Sequence, residues 1–295
     1  MPEVDRGQED VARLEAGLDA LDVPAPASQG PSGLRRFAAV VLPPVVAVAL
    51  IIVAWQALWA SALWPEWKLP SPLAVAGEVL RLAREGQITE TLWTSTHRAV
   101  LGFLVAVAIG TPLGLVVARV RVVRAAIGPL LSGLQSLPSV AWVPAAVLWL
   151  GLNDSMIYAV VLLGAVPSIA NGLVAGIDQV PPLLLRVGAV LGAGRLQSAR
   201  HVLLPAALPG YLAGLKQGWA FSWRSLMAAE IIARSPDLGI GLGQLLEQGR
   251  LLTDMSTVIT AILLILTVGI GVELLFFRPL ERQVLRSRGL TGAPS

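Results

Sequence analysis

Six long apolar runs interrupt this sequence, and a chain built that way cannot hide them all in water. They cover residues 37–65, 99–118, 125–153, 155–177, 208–233 and 255–277. A helix needs ~20 apolar residues to cross the hydrocarbon of a bilayer, and each run is long enough. The rest of the composition agrees. Of 295 residues, 55% are hydrophobic and 14% charged, and the mean hydropathy is +0.71. A soluble domain of this length would need a far more charged surface. Here the charges gather between the runs. The expected fold class is therefore all-α, a polytopic membrane protein with six transmembrane helices.

Other classes fall away on composition. The net charge is +3 and the arginines punctuate apolar runs instead of forming a patch, so no nucleic-acid partner is expected. The absence of cysteine removes disulfides and thiolate chemistry, and two histidines, His97 and His201, are too few for a histidine metal site. No paired carboxylates or nucleophile–base set appears within the runs, which argues against a membrane enzyme. An ATP-independent carrier or channel would be expected to carry inverted repeats, and no convincing repeat is visible.

Residues 1–35 read as a polar, disordered tail, with one short amphipathic helix at Val11, Leu14, Leu18 and Leu21 as the alternative. The membrane domain is expected over 36–280 and a second tail over 281–295. The first run starts too late and is too long for a cleaved signal peptide. The third, with Pro129, Pro138 and Pro144, reads as a short interfacial helix followed by a kinked span. Lysine and arginine favour the cytoplasmic side of a membrane. With the amino terminus inside, twelve of them face the cytoplasm and six the exterior, and both termini are cytoplasmic. The polar stretch between the fourth and fifth runs, about 178–209, then lies inside the cell.

That stretch is unusual. Pro181-Pro182 suits a helix start. Leu183, Leu184, Val187 and Leu191 recur on one helical face. Gly192 and Gly194 allow a sharp turn. Leu196, Ala199, Val202 and Leu203 restore the period, and Pro205 and Pro209 are expected to end the second helix before the fifth run. Two short amphipathic helices at the membrane surface need a partner for their apolar face: headgroups, the protein's own spans, or a groove in another chain.

Gly192, nine residues, then Val202-Leu203-Leu204-Pro205 resembles the loop of bacterial ABC importer permeases, whose pattern is Glu-Ala-Ala, three residues, Gly, nine residues, Ile-x-Leu-Pro. Arg186, Val187 and Gly188 stand at the Glu-Ala-Ala places, so the first half departs from the family and the contact of its Glu is not carried over. Further stretches resemble the branch importing aliphatic sulfonates, taurine and nitrate: Leu69-Pro70-Ser71-Pro72, TSTHRAVLGF from Thr94, Leu137-Pro138 with Ala141-Trp142-Val143-Pro144, Leu148-Trp149-Leu150-Gly151, and Ala228-Ala229-Glu230 followed by Gly239-Ile240-Gly241. The likeness spans about residues 40–285.

The resemblance implies a type I ABC importer permease in the bacterial inner membrane. It implies a homodimer, two cytoplasmic ABC ATPase subunits, an extracytoplasmic solute-binding protein, and a coupling loop over 181–205 with Arg186, Gly188, Leu191, Gly192, Ala193, Val202, Leu204 and Pro205. The chain would be non-catalytic and without cofactor, with ATP and Mg bound by the partner. Consistent with that, no phosphate-binding G-x-x-x-x-G-K-[ST] occurs, and Gly239-Ile240-Gly241-Leu242-Gly243 lacks dinucleotide spacing and reads as a tight turn before a helix. The expected cargo is an aliphatic sulfonate, with nitrate, taurine or a related small solute as alternatives.

Charges within apolar runs are costly and should face the bundle interior or water. Trp223, Arg224 and Glu230 are therefore candidates for the translocation path. Arginine forks onto sulfonate or nitrate oxygens, while an ion pair between spans is the structural alternative for Arg224. Glu230 is expected to cap the Gly-rich turn. Lys216 is expected to snorkel, and His97 and Arg98 to be interfacial. Glycines at four-residue spacing, such as Gly172 and Gly176 or Gly210, Gly214 and Gly218, are expected to let helices pack closely. Trp55, Trp59, Trp64 and Trp67 read as an interfacial belt. An amphipathic segment over 73–84, with Arg81 and Arg84, is a candidate surface for the binding protein.

Overall fold

A computed structural model describes residues 33–233 and 238–286, without side chains for 33–40 and 195–196. The alternative helix at Val11–Leu21 lies outside these residues. Every regular element among the described residues is helical. Helix α1 (Gly33–Ala60) is a unit by itself, and it absorbs Pro43 and Pro44 without ending. Its stretch Val41–Ala60 is long and apolar enough to cross a membrane.

The second unit, from residue 61 onward, contains the packed core. It comprises α2 (Pro72–Arg84), α3 (Gln87–Arg119), α4 (Arg121–Ser136), a 3-10 turn (Ser139–Trp142), α5 (Val143–Leu150) and α6 (Asp154–Asp178). Then follow α7 (Pro182–Val190), α8 (Arg195–Ser198), a π turn (Ala199–Leu203), α9 (Leu204–Ile232), α10 (Leu242–Leu251), α11 (Met255–Val272), a second π turn (Glu273–Phe277) and α12 (Arg278–Arg286).

Helix α6 is the axis of the fold, packed mainly between α9 and α3. Its sequence is apolar nearly all round, and so are its surroundings: Met156, Ile157, Val160, Val161, Ala165, Ile169 and Ala170 are fully buried. Asn153 starts it by accepting the Met156 N–H at 3.2 Å, an N-cap that its short carboxamide suits. The α6–α9 seam is built on glycine. A Cβ on Gly172 would lie 2.2 Å from Gly214 Cα, and one on Gly210 would lie 2.5 Å from Gly176 Cα. Only the missing side chains let the two backbones approach this far.

Among the described residues, four helices are long and apolar enough to span a bilayer: the stretch in α1, α3, α6, and Met255–Arg286. The bent pair from Arg121 to Leu150 makes a fifth if it counts as one crossing. Six is not reached on length and apolarity, because α9 has 29 residues but is punctuated by Lys216, Arg224 and Glu230. Its polar groups are tolerated because neighbouring helices answer two of the three, as described below.

Proline placement refines the expected helix boundaries and overturns one of them. The third run bends by 98° between α4 and the 3-10 turn, at Leu137-Pro138. Pro129 lies inside α4 without breaking it, and Pro144 sits in the first turn of α5, where no N–H is needed. Pro205 and Pro209 do not stop a helix. The π turn runs directly into α9, with the Leu204 N–H reaching back five residues to Ala199 O, so Pro205 falls in the first turn of α9 and Pro209 within it. The segment from 281 is helical through Arg286, which leaves its assignment as a carboxy-terminal tail untouched.

Candidate functional site

Two places gather the residues singled out by sequence. One is the bent segment from Pro181 to Pro205. Pro181 caps α7, and Pro182 opens it. The helix closes at Leu191, and Gly192 takes a left-handed φ of 81°, which glycine adopts without a Cβ penalty. The Gly192 N–H donates to Ala189 O at 3.1 Å and the Ala193 N–H to Gly188 O at 3.0 Å, so the end carbonyls of α7 are satisfied within the turn. Gln197 Oε1 then accepts the Gly194 N–H at 3.1 Å, starting the second helix.

Gly188 is the inner contact. A Cβ there would lie 3.3 Å from Val202 Cγ2, so α7 rests closely on the π turn. Leu203 is buried with Val180 and Ala207, anchoring the segment to the ends of α6 and α9. The other apolar residues of the segment point away. Leu183, Leu184, Val187, Val190 and Leu191 are exposed, the last two at 87% and 80%. Arg186, Gly192, Leu204 and Pro205 are exposed too, while Ala193 and Val202 are half-buried. The second half is not a separate short helix: from Arg195 to Ile232 the backbone is helical throughout. The second half of the bend and α9 are therefore one continuous helical segment.

The second place is a buried polar cluster at the far end of α9. Glu230 is fully buried. Its carboxylate accepts Ser95 Oγ–H at 2.7 Å, the Gly243 N–H at 3.0 Å and Arg98 Nη1–H at 3.3 Å. Arg98, 5% exposed, also donates to Asp154 Oδ1 at 2.8 Å and to Leu238 O. Ser95 Oγ in turn accepts the Leu242 N–H at 2.8 Å. One guanidinium and one carboxylate thus join α3, α6, α9 and the Gly-rich turn. Gly239 there has φ 63°, and Gly241 presses so closely on the Glu230 carboxylate that a Cβ would lie 2.5 Å from it.

The three pathway candidates do not converge. Trp223 is core, stacked on Trp219 at 6.3 Å. Glu230 is enclosed as above. Arg224 is exposed; its Nε–H donates to Ala220 O at 3.0 Å and its guanidinium lies 4.7 Å above the Phe221 ring. Among the described residues it has no carboxylate partner. Sequence reasoning missed Arg98, Asp154 and Ser95. Arg98 is buried within the protein, and the available signal was that it and Glu230 both interrupt apolar runs, where opposite charges pair. Lys216 is 42% exposed at its side chain and forms an ion pair with Glu273, with Glu281 3.9 Å away, a pairing that sequence reasoning missed. Arg81 is held between Glu78 and Glu85, which leaves Arg84 as the freer charge on α2.

Residues 110–282, more than half of the chain, match the model of the binding-protein-dependent transport system inner membrane component. The chain belongs to that family. The permease is 29% identical to the taurine transport system permease protein of Escherichia coli over 231 residues, 76% of this chain and 84% of that one. It is 28% identical to a putative aliphatic sulfonates transport permease of Bacillus subtilis, covering 81% of this chain and 85% of that one. It is 30% identical to the riboflavin transport system permease protein of Chloroflexus aurantiacus, covering 78% and 84%. A chain of the inward-facing methionine ABC transporter MetNI shares the fold, with a TM-score of 0.58 at 19% identity, over 68% of this chain and 98% of that one. As a family member the permease is a multi-pass membrane subunit of a binding-protein-dependent importer. It is non-catalytic and without cofactor, and ATP hydrolysis belongs to a separate subunit.

Proposed function

We propose that the permease forms the translocation path of an importer for a small organic anion, as a homodimer with six spans per copy and both termini in the cytoplasm. Two cytoplasmic ATPase subunits grip the bend at 181–205, and an extracytoplasmic binding protein delivers the solute. The observation that carries this reading is the exposed apolar face of Leu183, Leu184, Val187, Val190 and Leu191 on a bend continuous with α9. Such a face fits a groove in a partner. ATP-driven closure of that partner favours one of two packings of the spans, and the continuous helix transmits the choice. Arg186 at the place of the family's Glu brings a cation to this contact.

For cargo, an aliphatic sulfonate is the first choice and taurine or nitrate the next. The taurine and sulfonate relatives support this, as does an exposed arginine on α9, Arg224, without a carboxylate partner among the described residues. The test is co-expression of the permease with a candidate ATPase subunit and binding protein, followed by purification and uptake into proteoliposomes. A stoichiometric complex with ATP-dependent sulfonate uptake is expected. Uptake that proceeds without any ATPase would overturn the reading in favour of an ATP-independent carrier.

A further inference from the structure

The last apolar helix continues beyond its apolar stretch into a charged one. From Met255 to Arg286 the chain is one helical rod of 32 residues, including the second π turn. At ~1.5 Å per residue, Met255 to Arg278 covers about 35 Å, slightly more than a hydrocarbon core of ~30 Å. The side chains change character at that point. Leu274, Leu275 and Phe276 are exposed, at 46%, 83% and 57%. They form an apolar collar on the outside of the rod. Directly after it come Arg278, Arg282 and Arg286, all exposed and spaced by four, which places them on one stripe of α12 over about 12 Å.

None of these arginines has a carboxylate partner among the described residues. The acid on the same helix, Glu281, faces Lys216 instead, and Val284 and Phe277 take the buried side. The arginine stripe therefore points away from the protein's own core. The sequence adds Arg288 two residues later.

We propose that this stripe is a binding site for anionic phospholipid headgroups. The lipid's acyl chains lie along the Leu274–Phe276 collar, and its phosphate is held by the guanidinium forks of Arg278, Arg282 and Arg286. Guanidinium groups take phosphate oxygens two at a time. An apolar collar followed within one turn by unpaired arginines is the order in which a bilayer presents hydrocarbon and phosphate. The inference rests on membrane location alone and not on the proposed coupling to an ATPase.

The test uses the full-length permease alone, purified in detergent and exposed to equal amounts of phosphatidylglycerol and phosphatidylcholine with identical acyl chains. Retained lipid is counted by native mass spectrometry. Three arginines near an anionic surface correspond to a preference for phosphatidylglycerol on the order of a hundredfold. Single Arg282→Gln should lower it about fivefold. The triple variant R278Q/R282Q/R286Q should abolish it, and the triple lysine variant should keep most of it. Equal retention of the two lipids by the wild type would overturn the proposal. So would an unchanged preference in the triple glutamine variant or, if that variant fails to fold, in each single variant. If the triple glutamine variant keeps its lipid preference but, in a parallel co-expression with the candidate ATPase subunit, no longer co-purifies with it, the stripe belongs to a protein partner and the lipid site is refuted. Failure of the coupling reading would leave these lipid measurements unaffected.

Discussion

Arg98 Nη1 lies 3.3 Å from Glu230 Oε1, joining helix α3 to helix α9 inside the protein, with the two side chains 6% and 0% exposed. Both charges are fully committed: Glu230 to Ser95 and Gly243, Arg98 to Asp154 and Leu238. Removing one partner of a buried pair leaves the other charge uncompensated, at a cost of about 3–5 kcal/mol. Arg98→Met and Glu230→Gln should each lower the melting temperature of the detergent-purified permease strongly. The Arg98→Met/Glu230→Gln double variant should recover part of the loss. A double variant as unstable as the sum of the singles would mean that the two residues do not act as a pair.

The Gly172–Gly214 contact makes a sharper prediction. Any Cβ at Gly172 meets backbone, which cannot rotate aside, so Gly172→Val should cost about 3 kcal/mol or more and reduce the yield of folded protein. Gly133, inside α4, has no atom within 4 Å of an added Cβ. Gly133→Ala should therefore be neutral or stabilise by about 0.5–1 kcal/mol. Equal effects at the two sites in a thermal melt would refute the close-packed seam.

At Gly192 the constraint is conformational rather than steric. No atom lies within 4 Å of an added Cβ, but φ is 81°. Gly192→Val should strain the turn by about 1–2 kcal/mol, while Gly192→Asn, which tolerates this conformation, should be mild. Membrane insertion of the Val variant should survive, with ATP-coupled uptake or ATPase association lost. Normal uptake by the Val variant would count against the bend as the coupling element.

Arg224→Ala tests the cargo reading. Charge-assisted hydrogen bonds contribute roughly 1.5–3 kcal/mol, so loss of the arginine should weaken anion transport roughly ten- to hundredfold, with ATPase docking intact. Arg224→Lys should keep part of the activity. Uptake assays on the assembled importer decide this, and unimpaired transport by the Ala variant would assign Arg224 a purely structural role.

A pH dependence follows from α2. The Arg81 guanidinium, against the cost of burial and with help from Thr257, holds the Glu78 carboxyl below its ordinary value of about 4.5. A carboxyl depressed in the folded state binds fewer protons than when unfolded. Its contribution is therefore complete above the ordinary value and lost as pH falls through the depressed one. Glu78 accepts Thr257 Oγ1–H at 2.8 Å, so it ties α2 to α11 beside the apolar cluster of Leu82 and Ala261. Between pH 7 and pH 3.5 the wild type should lose more thermal stability than Glu78→Gln. An identical pH profile for both would remove the tie.

The sequence by itself determined the helical class, the membrane environment and the bend. Those follow from local facts: runs of ~20 apolar residues must be helical in a bilayer, a glycine permits positive φ, and charges concentrate between runs. Spacing also located Gly172, Gly176, Gly210 and Gly214 as close-packing positions, because i, i+4 glycines share a helix face. Tertiary structure alone decided what Arg98 does, since its partners Asp154 and Glu230 are 56 and 132 positions away and nothing local names them. It also decided that Pro205 and Pro209 lie within a continuous helix, because a π turn shifts the hydrogen-bond register just before them. And it decided that Lys216 pairs with Glu273, 57 positions away. Local patterns report the solvent each segment needs, while ion pairs between distant helices form only once packing has brought them together and excluded the solvent that would otherwise compete.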